Sequence, residues 1–427
     1  MSIAKFAVPS NWKQTSLKHI AKIKSGSTPL RAQHERYFID GQIPWIKTMD
    51  LTNEKIFQTD ECITELAIQE TSCPILQPGT VLVAMYGGFN QIGRTGIMTF
   101  AGSINQAISS LTVDEASVIP DYVLYWLNAN IGLWRRFAAS SRKDPNITKK
   151  DVEDFPILLP PLPEQRKIAE ILSTWDEAIA ASQRLLSVLR ERKKGLMQRL
   201  LSGQVRFEGF ARSTSYVDTH YGKFPEDWTV ESAKNLFYIK GRIGWKGLKK
   251  SEFIDSGPYL ITGMHFNDHG GIDWDKCFHV SQERYLESPE IMVREKDILI
   301  TKDGTIGKIA FISFLPGEAS LNSHLLLVRP KTLDIDPLFS YYLFGSGIFE
   351  NFIDRNKSGS TLTGLPQGVF EKFPVHYPSI AEQKVISNVL ASCDDEIIMT
   401  ERKLEALQAQ KKGLMQRLLT GEVRVKI

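Results

Sequence analysis

Cysteine is scarce in this sequence, and its few cysteines lie far apart. The chain has four, Cys62, Cys73, Cys277 and Cys393, and no two of them form a C-x-x-C motif. A disulfide framework needs regularly spaced cysteines in a short secreted domain. The scarcity therefore excludes a disulfide scaffold and is typical of a protein from a reducing cytoplasm.

Long hydrophobic runs are absent as well. No stretch of about 18 apolar residues occurs, and the opening residues, MSIAKFAVPSNW, contain no apolar signal-peptide core. These absences argue against a secreted or membrane-spanning protein. We expect a cytoplasmic protein with no membrane partner.

Charge of one sign is not in excess either. Lys+Arg 52 against Asp+Glu 49 leaves a net charge of +3, which excludes a chain coated in positive charge like a histone. Any nucleic-acid surface must therefore be local. A hydrophobic content of 42% is ordinary for a folded protein, and 427 residues predict two to four domains at roughly 150 residues each.

What the sequence does have is an internal repeat. The string KKGLMQRLLSGQVRF at 193–207 returns as KKGLMQRLLTGEVRV at 411–425, which is 218 residues later. The chain is therefore two variable modules of roughly 155 residues, each followed by a less variable segment of roughly 50. Further matches under nearly the same shift are Phe155-Pro156 with Phe373-Pro374, Glu164-Gln165 with Glu382-Gln383, Trp12 with Trp228, and Tyr125 with Tyr341.

Each less variable segment is predicted to form one long helix. Its apolar residues recur at seven-residue steps, with a second set four residues later, which is the seam of a coiled coil. Pro163 suits a first helical turn, and Ser379 with Glu382 predicts a capping box. Gly203 and Gly421 follow the last apolar residues as stop signals. The predicted helices cover residues 164–201 and 382–419, each roughly 57 Å long.

Charge predicts how the two helices pair. Their first halves carry acids such as Asp176 and Asp394, and their second halves carry bases such as Lys193 and Lys411. Antiparallel pairing sets each acidic half beside a basic half, whereas parallel pairing sets like beside like. We predict an antiparallel pair with an approximate two-fold axis within one chain. The alternative is two unrelated amphipathic helices, each packed on its own module.

Strands and turns dominate the variable modules. Apolar β-branched runs predict a buried strand in each module, followed by a Gly-containing turn, a second strand and later a short helix. A polar stretch predicts the linker into the second module. The predicted strands are 81–85, 96–100, 297–301 and 308–312, the predicted helices 121–128 and 336–344, and the predicted linker 209–223.

Two strings resemble ligand-binding motifs without meeting them. Residues 88–95 match G-x-x-x-x-G-K-[ST] except that Arg94 stands where a lysine must reach the phosphates, so a turn between strands is favoured. A His/Cys cluster in the second module meets no zinc spacing. We predict no catalytic residue, no cofactor site and no metal site. The cluster consists of His265, His269, Cys277 and His279.

Loops of both modules carry polar and basic side chains close to aromatic ones. Such side chains hold phosphates and contact base edges, although a residue of this kind taken alone is more often an ordinary solvated loop position. The densest group surrounds Trp245 in the second module. The candidate DNA-binding residues are Ser27, Thr28, Arg31, Lys47, Tyr86, Asn90, Gln91, Arg94, Arg142, Lys143, Arg242, Trp245, Lys246, Lys249, Lys250, His265, Asn267, Lys302, Lys308, Arg355, Asn356 and Lys357.

The order of variable module, proline-led Glu-Gln helix, variable module and Glu-Gln helix resembles the specificity subunit of type I restriction-modification systems. The resemblance covers essentially the whole chain. It is carried by KSGSTP at 24–29, IPWI at 43–46, PPLPEQRKIA at 160–169, EQK at 382–384 and the two KKGLMQRLL strings.

The resemblance implies an α/β (α+β) fold with two similar β-rich target-recognition domains, separated by two long antiparallel coiled-coil helices in a pseudo-two-fold repeat. Each domain would bind one half of a split double-stranded DNA target, and the helices would set the spacer. The domain boundaries expected on this basis are 1–155, 156–207, 208–373 and 374–427.

The resemblance also implies partners and a lack of catalysis. Two methyltransferase (modification) subunits would dock on the chain and restriction subunits would join for cleavage, so that S-adenosylmethionine and ATP belong to the partners. One alternative is a two-headed coiled-coil adaptor or scaffold that binds protein and no DNA. Another is the specificity half of a modification enzyme without a cleavage partner.

Overall fold

The computed structural model describes residues 8–88, 90–137, 146–242, 249–356 and 364–427. The chain forms two compact units. Unit 1 combines Met1–Ser182 with Lys403–Ile427, and unit 2 is Gln183–Arg402. Each unit therefore contains one variable module together with half of each long helix. The Trp245, Lys246, Arg142, Lys143 and Lys357 candidates lie outside the described residues, as does the side chain of Lys250.

Unit 1 contains ten strands and five short helices within its described residues, followed by the first long helix. The strands are Lys13–Ser16 (β1), Ala21–Ser25 (β2), Ile43–Ile46 (β3), Glu54–Ile56 (β4), Cys62–Ile63 (β5), Val81–Ala84 (β6), Thr95–Met98 (β7), Ser103–Ile104 (β8), Ile108–Val113 (β9) and Pro156–Leu159 (β10). The helices are His34–Tyr37 (α1), Glu65–Glu70 (α2), Pro120–Ala129 (α3), Ile131–Phe137 (α4), Lys149–Glu153 (α5) and the long Leu162–Leu201 (α6).

The main sheet of unit 1 has the order β2-β9-β6-β7-β4, and a smaller sheet has the order β5-β3-β8. Every residue of β6 is buried, which fits its unbroken apolar run. Helix α3 packs on β6 and β7, and it is held to β10 by the hydroxyl of Tyr122, which donates to the Leu158 carbonyl at 2.7 Å. Ile168 and Leu172 of α6 join the same core.

Unit 2 repeats this architecture. Its strands are Tyr216–Thr219 (β11), Gly222–Pro225 (β12), Thr229–Ser232 (β13), Phe237–Gly241 (β14), Ile254–Ile261 (β15), Phe278–His279 (β16), Ile298–Thr301 (β17), Ile309–Phe311 (β18), Ala319–Leu321 (β19), Leu325–Pro330 (β20) and Pro374–Tyr377 (β21). Its helices are Ala233–Leu236 (α7), Gln282–Leu286 (α8), Pro337–Phe344 (α9), Gly347–Asn356 (α10), Gln367–Phe370 (α11) and the long Ile380–Thr420 (α12).

The sheets of unit 2 match those of unit 1 strand by strand. The order β14-β20-β17-β18 corresponds to β2-β9-β6-β7, and the parallel pair of β15 with β19 corresponds to the parallel pair of β3 with β8. The register agrees as well, because Val81 lies opposite Leu111 and Ile298 lies opposite Val328. The predicted linker differs from expectation, since it includes β11 and the start of β12, which form an antiparallel hairpin.

The two long helices pair antiparallel within each unit, as the charges predict. In unit 1 the ammonium of Lys411 is bonded to the carboxylate of Asp176, and in unit 2 Lys193 is bonded to Asp394 in the equivalent position. Further along unit 2, Arg190 contacts Glu401 at 2.7 Å. As numbers rise along α6 they fall along α12, so the alternative of two unpaired helices is wrong.

A tyrosine from each module donates a hydrogen bond to the aspartate of this ion pair. Tyr125 donates its hydroxyl to Asp176 at 2.6 Å in unit 1. In unit 2 the equivalent donor is Tyr342, which bonds Asp394 at 2.8 Å. The match of Tyr125 with Tyr341 is therefore wrong by one residue, because the shift is 217 within this part of the module.

The glutamate at the start of each long helix bonds an arginine from another segment of the chain. Glu164, whose side chain is 1% exposed, accepts hydrogen bonds from Arg424, and in unit 2 Glu382 accepts them from Arg206. Because Glu382 is occupied by Arg206, it does not complete the predicted capping box, and only the half in which its amide donates to Ser379 forms. None of the helices in the described part of the chain has the length and apolarity of a membrane span.

Candidate nucleic-acid interface

Two basic candidates of unit 1 share one acidic partner. Arg31 and Lys47 both bond the carboxylate of Glu61, with Lys47 Nζ at 3.0 Å from Glu61 Oε2. The guanidinium of Arg31 also lies over Phe38 and Trp45, at 4.3 and 5.1 Å from the ring centroids. The hydrogen bond from Arg31, helped by Lys47, lowers the pKa of Glu61 to about 2. One of the two positive charges is therefore neutralised within unit 1.

Ser27 and Thr28 are held in the loop that follows β2. The Ser27 carbonyl accepts a hydrogen bond from the indole N–H of Trp45 at 3.2 Å. The Thr28 hydroxyl is bonded to the side chain of Gln106. Both contacts support the loop itself, and both side chains are half-buried.

Four other candidates of unit 1 come together in the turn between β6 and β7. Tyr86 and Asn90 are exposed, and Gln91 and Arg94 are half-buried. Arg94 Nε donates to the Asn90 carbonyl at 3.1 Å. Since β6 and β7 are antiparallel neighbours, the prediction that this string is a turn between strands is confirmed.

The corresponding turn of unit 2 lies between β17 and β18. It is bounded by the candidates Lys302, half-buried, and Lys308, exposed. Within it the Asp303 carboxylate lies 3.1 Å from the ring nitrogen Nδ1 of His324. The two units therefore bring candidates together at the same place in the main sheet.

Arg242 and His265 are buried, which corrects their inclusion among candidate surface contacts. Arg242 is 2% exposed and donates through Nε to the Leu321 carbonyl at 2.8 Å, so it braces the backbone of β19. Burial lowers its pKa. His265 accepts a hydrogen bond from the Thr262 amide at 3.1 Å, and burial lowers its pKa also.

The remaining described candidates lie singly in unit 2. Asn267 accepts hydrogen bonds from the amides of His269 and Gly271 and so shapes its own turn. The Asn356 amide donates to the Phe352 carbonyl at 2.8 Å. Lys249 and Arg355 are exposed.

The His/Cys cluster of unit 2 is not brought together as a ligand set. His279 Nδ1 lies 2.7 Å from the Gly257 carbonyl, and burial raises the pKa of the Cys277 thiol to about 12. Across the described residues, no group of three or more His, Cys, Asp or Glu side chains is arranged to hold a metal ion.

Sequence reasoning missed the residues of the second turn that are not basic. Asp303 and Thr305 lie in this turn, and His324 contacts Asp303 from the loop between β19 and β20. A signal was available in the repeat, because Asn105 and Asn322 are matching asparagines of the two modules. In the structure each accepts a hydrogen bond from the amide two residues later. Aligning the modules on these asparagines places the two turns opposite each other.

The sequence matches the family model of the type I restriction modification DNA specificity domain twice, over residues 9–191 and 225–409. The chain belongs to this family. Each match covers one module together with most of its long helix. The specificity family therefore accounts for the repeat as two copies of one domain.

Relatives of this specificity family match most of the chain. The specificity subunit of the type I restriction enzyme MjaVIII from Methanocaldococcus jannaschii is 26% identical over 98% of this chain and 94% of its own length. The specificity subunit of EcoBI from Escherichia coli is 24% identical over 72% of this chain and 65% of its own.

Solved structures share the fold. The S subunit of a type I restriction-modification system from M. genitalium superposes with a TM-score of 0.59 at 15% identity, over 98% of both chains. A chain from a study of complex assembly and conformational transition in the type I R-M system gives a TM-score of 0.60 at 15% identity, over 98% of this chain and all of that one. The predicted fold of two β-rich domains with two long antiparallel helices is confirmed.

Proposed function

We propose that this chain is the DNA specificity subunit of a type I restriction-modification complex, and that each unit binds one half of a bipartite duplex target. The observation that carries the proposal is the double match to a DNA specificity domain on two units of the same architecture. Two similar domains with different loop residues suit two different half-sites. A protein-binding adaptor has no need of this family of domain.

The repeat supports the proposal of two identical partners. Helices α6 and α12 present the same ion pairs in both units, Asp176 with Lys411 and Asp394 with Lys193. A helix pair that is built twice in the same way within one chain suits two copies of one partner. Two methyltransferase subunits are therefore the proposed partners, and restriction subunits join them in the cytoplasm for cleavage.

The chain itself is proposed to be non-catalytic. S-adenosylmethionine and ATP are assigned to the partner subunits, and the string that resembles a phosphate-binding loop connects two antiparallel strands instead of opening a helix. We expect the purified chain alone to turn over neither compound. Turnover by the pure chain would contradict this assignment.

The test of the function is a map of modified bases in cells that carry or lack this gene together with modification subunits of the type I class. We expect one bipartite motif that disappears without the gene. Duplex binding by the assembled complex should weaken with salt, with log K falling by roughly 0.9 per phosphate contact for each unit of log salt. An adaptor would give neither a motif nor a salt-dependent interaction with duplex DNA.

A further inference from the structure

The turn between β6 and β7 in unit 1 is fixed at its two ends by backbone hydrogen bonds. The Ala84 amide donates to the Arg94 carbonyl at 2.8 Å, and the Gly93 amide donates to the Ala84 carbonyl at 2.9 Å. The Met85 carbonyl accepts from the Ile147 amide at 3.0 Å. These bonds hold both ends of the turn on the main sheet.

The turn between β17 and β18 in unit 2 is fixed by the same bonds. The Thr301 amide donates to the Lys308 carbonyl at 2.9 Å, and the Gly307 amide donates to the Thr301 carbonyl at 2.9 Å. The Lys302 carbonyl accepts from the Leu365 amide at 2.6 Å. The same three backbone hydrogen bonds therefore surround this turn in both units, and we call this set of bonds the frame.

What lies inside the frame differs between the units. Residues 86–92 of unit 1 read YGGFNQI, whereas residues 303–306 of unit 2 read DGTI, three residues fewer. We call them turn 1 and turn 2; Phe89 of turn 1 lies outside the described residues. A frame that is kept while its content changes in length and chemistry is what two domains with different targets need.

Both turns face open space. Gly88 and Gly304 adopt left-handed conformations, with φ of 72° and 70°. Apart from its two chain neighbours, a Cβ atom built on either glycine would meet no atom of the described residues within 4 Å. Within the described residues, the tip of each turn therefore leaves room for a ligand such as a duplex.

A cation follows each turn at the same position. Arg94 and Lys308 come directly after Gly93 and Gly307, and both are bound into the frame through their own carbonyl groups. Within the described residues, the side chain of Lys308 makes no hydrogen bond and that of Arg94 bonds only through Nε, to the Asn90 carbonyl. Both cations keep donors for an external acceptor.

Three other basic candidates are already engaged inside their units. Arg31 and Lys47 share Glu61, and Arg242 is buried against Leu321. These groups support the fold of the loops that carry them. The two framed turns stand apart, because they are equivalent in position, open to solvent and different in content.

From these observations we infer that turns 1 and 2 contact the bases of the two half-sites, while Arg94 and Lys308 hold a DNA phosphate beside each turn. This inference rests on the proposed function and deepens it. Contacts to phosphate fix the register of a protein on DNA, and contacts to base edges select the sequence. The constant cation and the variable turn divide these two tasks.

The phosphate role is tested with Lys308→Gln and Arg94→Gln in the assembled complex with its modification subunits. Each variant should weaken binding to every duplex alike, reduce the salt slope by about one, and leave the modified motif unchanged. Lys308→Arg should restore the slope. The matched controls Lys426→Gln and Lys223→Gln replace exposed lysines that are not part of either turn or of its backbone hydrogen bonds, and they should not change it.

The base role is tested by replacing turn 2 with the sequence of turn 1. The preferred bases of one half-site should change while those of the other stay as they were. The point variants Thr305→Ala and Asn90→Ala alter exposed side chains without changing turn length, so they answer the question even where the exchanged chain does not assemble. Each should reduce discrimination at a base pair of its own half-site by about 5- to 150-fold.

Two results overturn the inference. One is that both point variants keep their sequence preferences within about twofold of the unaltered complex. The other is that Lys308→Gln changes which bases are preferred. Failure of the proposed function is distinguishable from both, because then the unaltered complex modifies no bipartite motif at all.

Discussion

At the scale of single residues, His376 marks a position at which the two units differ. It lies in β21 where the repeat places Leu158 in β10 of unit 1. Its ring stacks on Phe224 with the centroids 4.0 Å apart, and burial lowers its pKa to about 4. The folded protein therefore holds this imidazole neutral where the unfolded chain protonates it.

The pH dependence follows from the sign of this shift. A histidine whose folded pKa is lowered favours folding fully above the unfolded value of 6.5, and its contribution is lost as pH falls toward about 4. His376→Leu should remove this loss and stabilise unit 2 at pH 5 by about 1–2 kcal/mol relative to the unaltered protein, with little change at pH 8.

Urea unfolding of both proteins between pH 4.5 and 8 measures the effect. His220→Leu is a suitable control, because it makes the same replacement in the same unit but in the β11–β12 hairpin instead of β21. Parallel stability curves for His376→Leu and the unaltered protein over this range would contradict the prediction.

Residue-scale burial is also what the sequence could not supply. Arg242 and Lys308 are both basic residues beside a strand, and nothing local distinguishes them. The structure buries Arg242 against Leu321 of β19, a strand distant in the chain, and leaves Lys308 exposed. The local sequence shows where the charged residues are, whereas their exposure depends on strands that are distant in the chain.

At the scale of elements, the long helices were predictable almost to the residue. The predicted 164–201 and 382–419 compare with Leu162–Leu201 and Ile380–Thr420. Heptad spacing and terminal glycines are local signals, and the charge pattern was enough to predict that the helices pair antiparallel. The capping box at Glu382 failed because a partner from another segment, Arg206, takes the carboxylate.

The contacts at the ends of the helices give a matched pair of variants. Arg206 is buried between Glu382 and Asp227, with 10% of its side chain exposed, whereas Arg424 beside Glu164 is 42% exposed. Arg206→Met leaves two carboxylates without their partner and should destabilise unit 2 by about 3 kcal/mol. Arg424→Met should destabilise unit 1 less, since water reaches that site.

Hydrogen exchange resolved by peptide separates the two effects, because each variant should loosen its own unit. Replacing Glu382 as well, in Arg206→Met with Glu382→Met, should recover part of the loss by removing a buried charge. A larger effect for Arg424→Met than for Arg206→Met would show that burial does not control the strength of these pairs.

At the scale of the whole molecule, the long helices belong to both units. Seven residues inserted after Leu189 keep the heptad seam in phase and lengthen α6 by about 10.5 Å. If helix length sets the spacer between half-sites, the spacer should grow by up to about three base pairs, less any part taken up as twist.

Mapping modified sites measures the spacer directly. An insertion of two or three residues at the same place should break the seam and prevent assembly, because it rotates the apolar stripe away from its partner. A seven-residue variant that assembles and modifies sites with the original spacer would refute the ruler.

The division of the chain into units has a consequence for how the protein is made. Unit 2 is one continuous segment, 183–402, whereas unit 1 joins its first 182 residues to 403–427. A ribosome therefore synthesises the whole of unit 2 before unit 1 is complete, and about 260 residues are added after Glu164 before its partner Arg424 is made. A nonsense mutation near residue 403 would leave unit 2 complete, whereas unit 1, whose synthesis begins first, would lack its last segment and be disrupted.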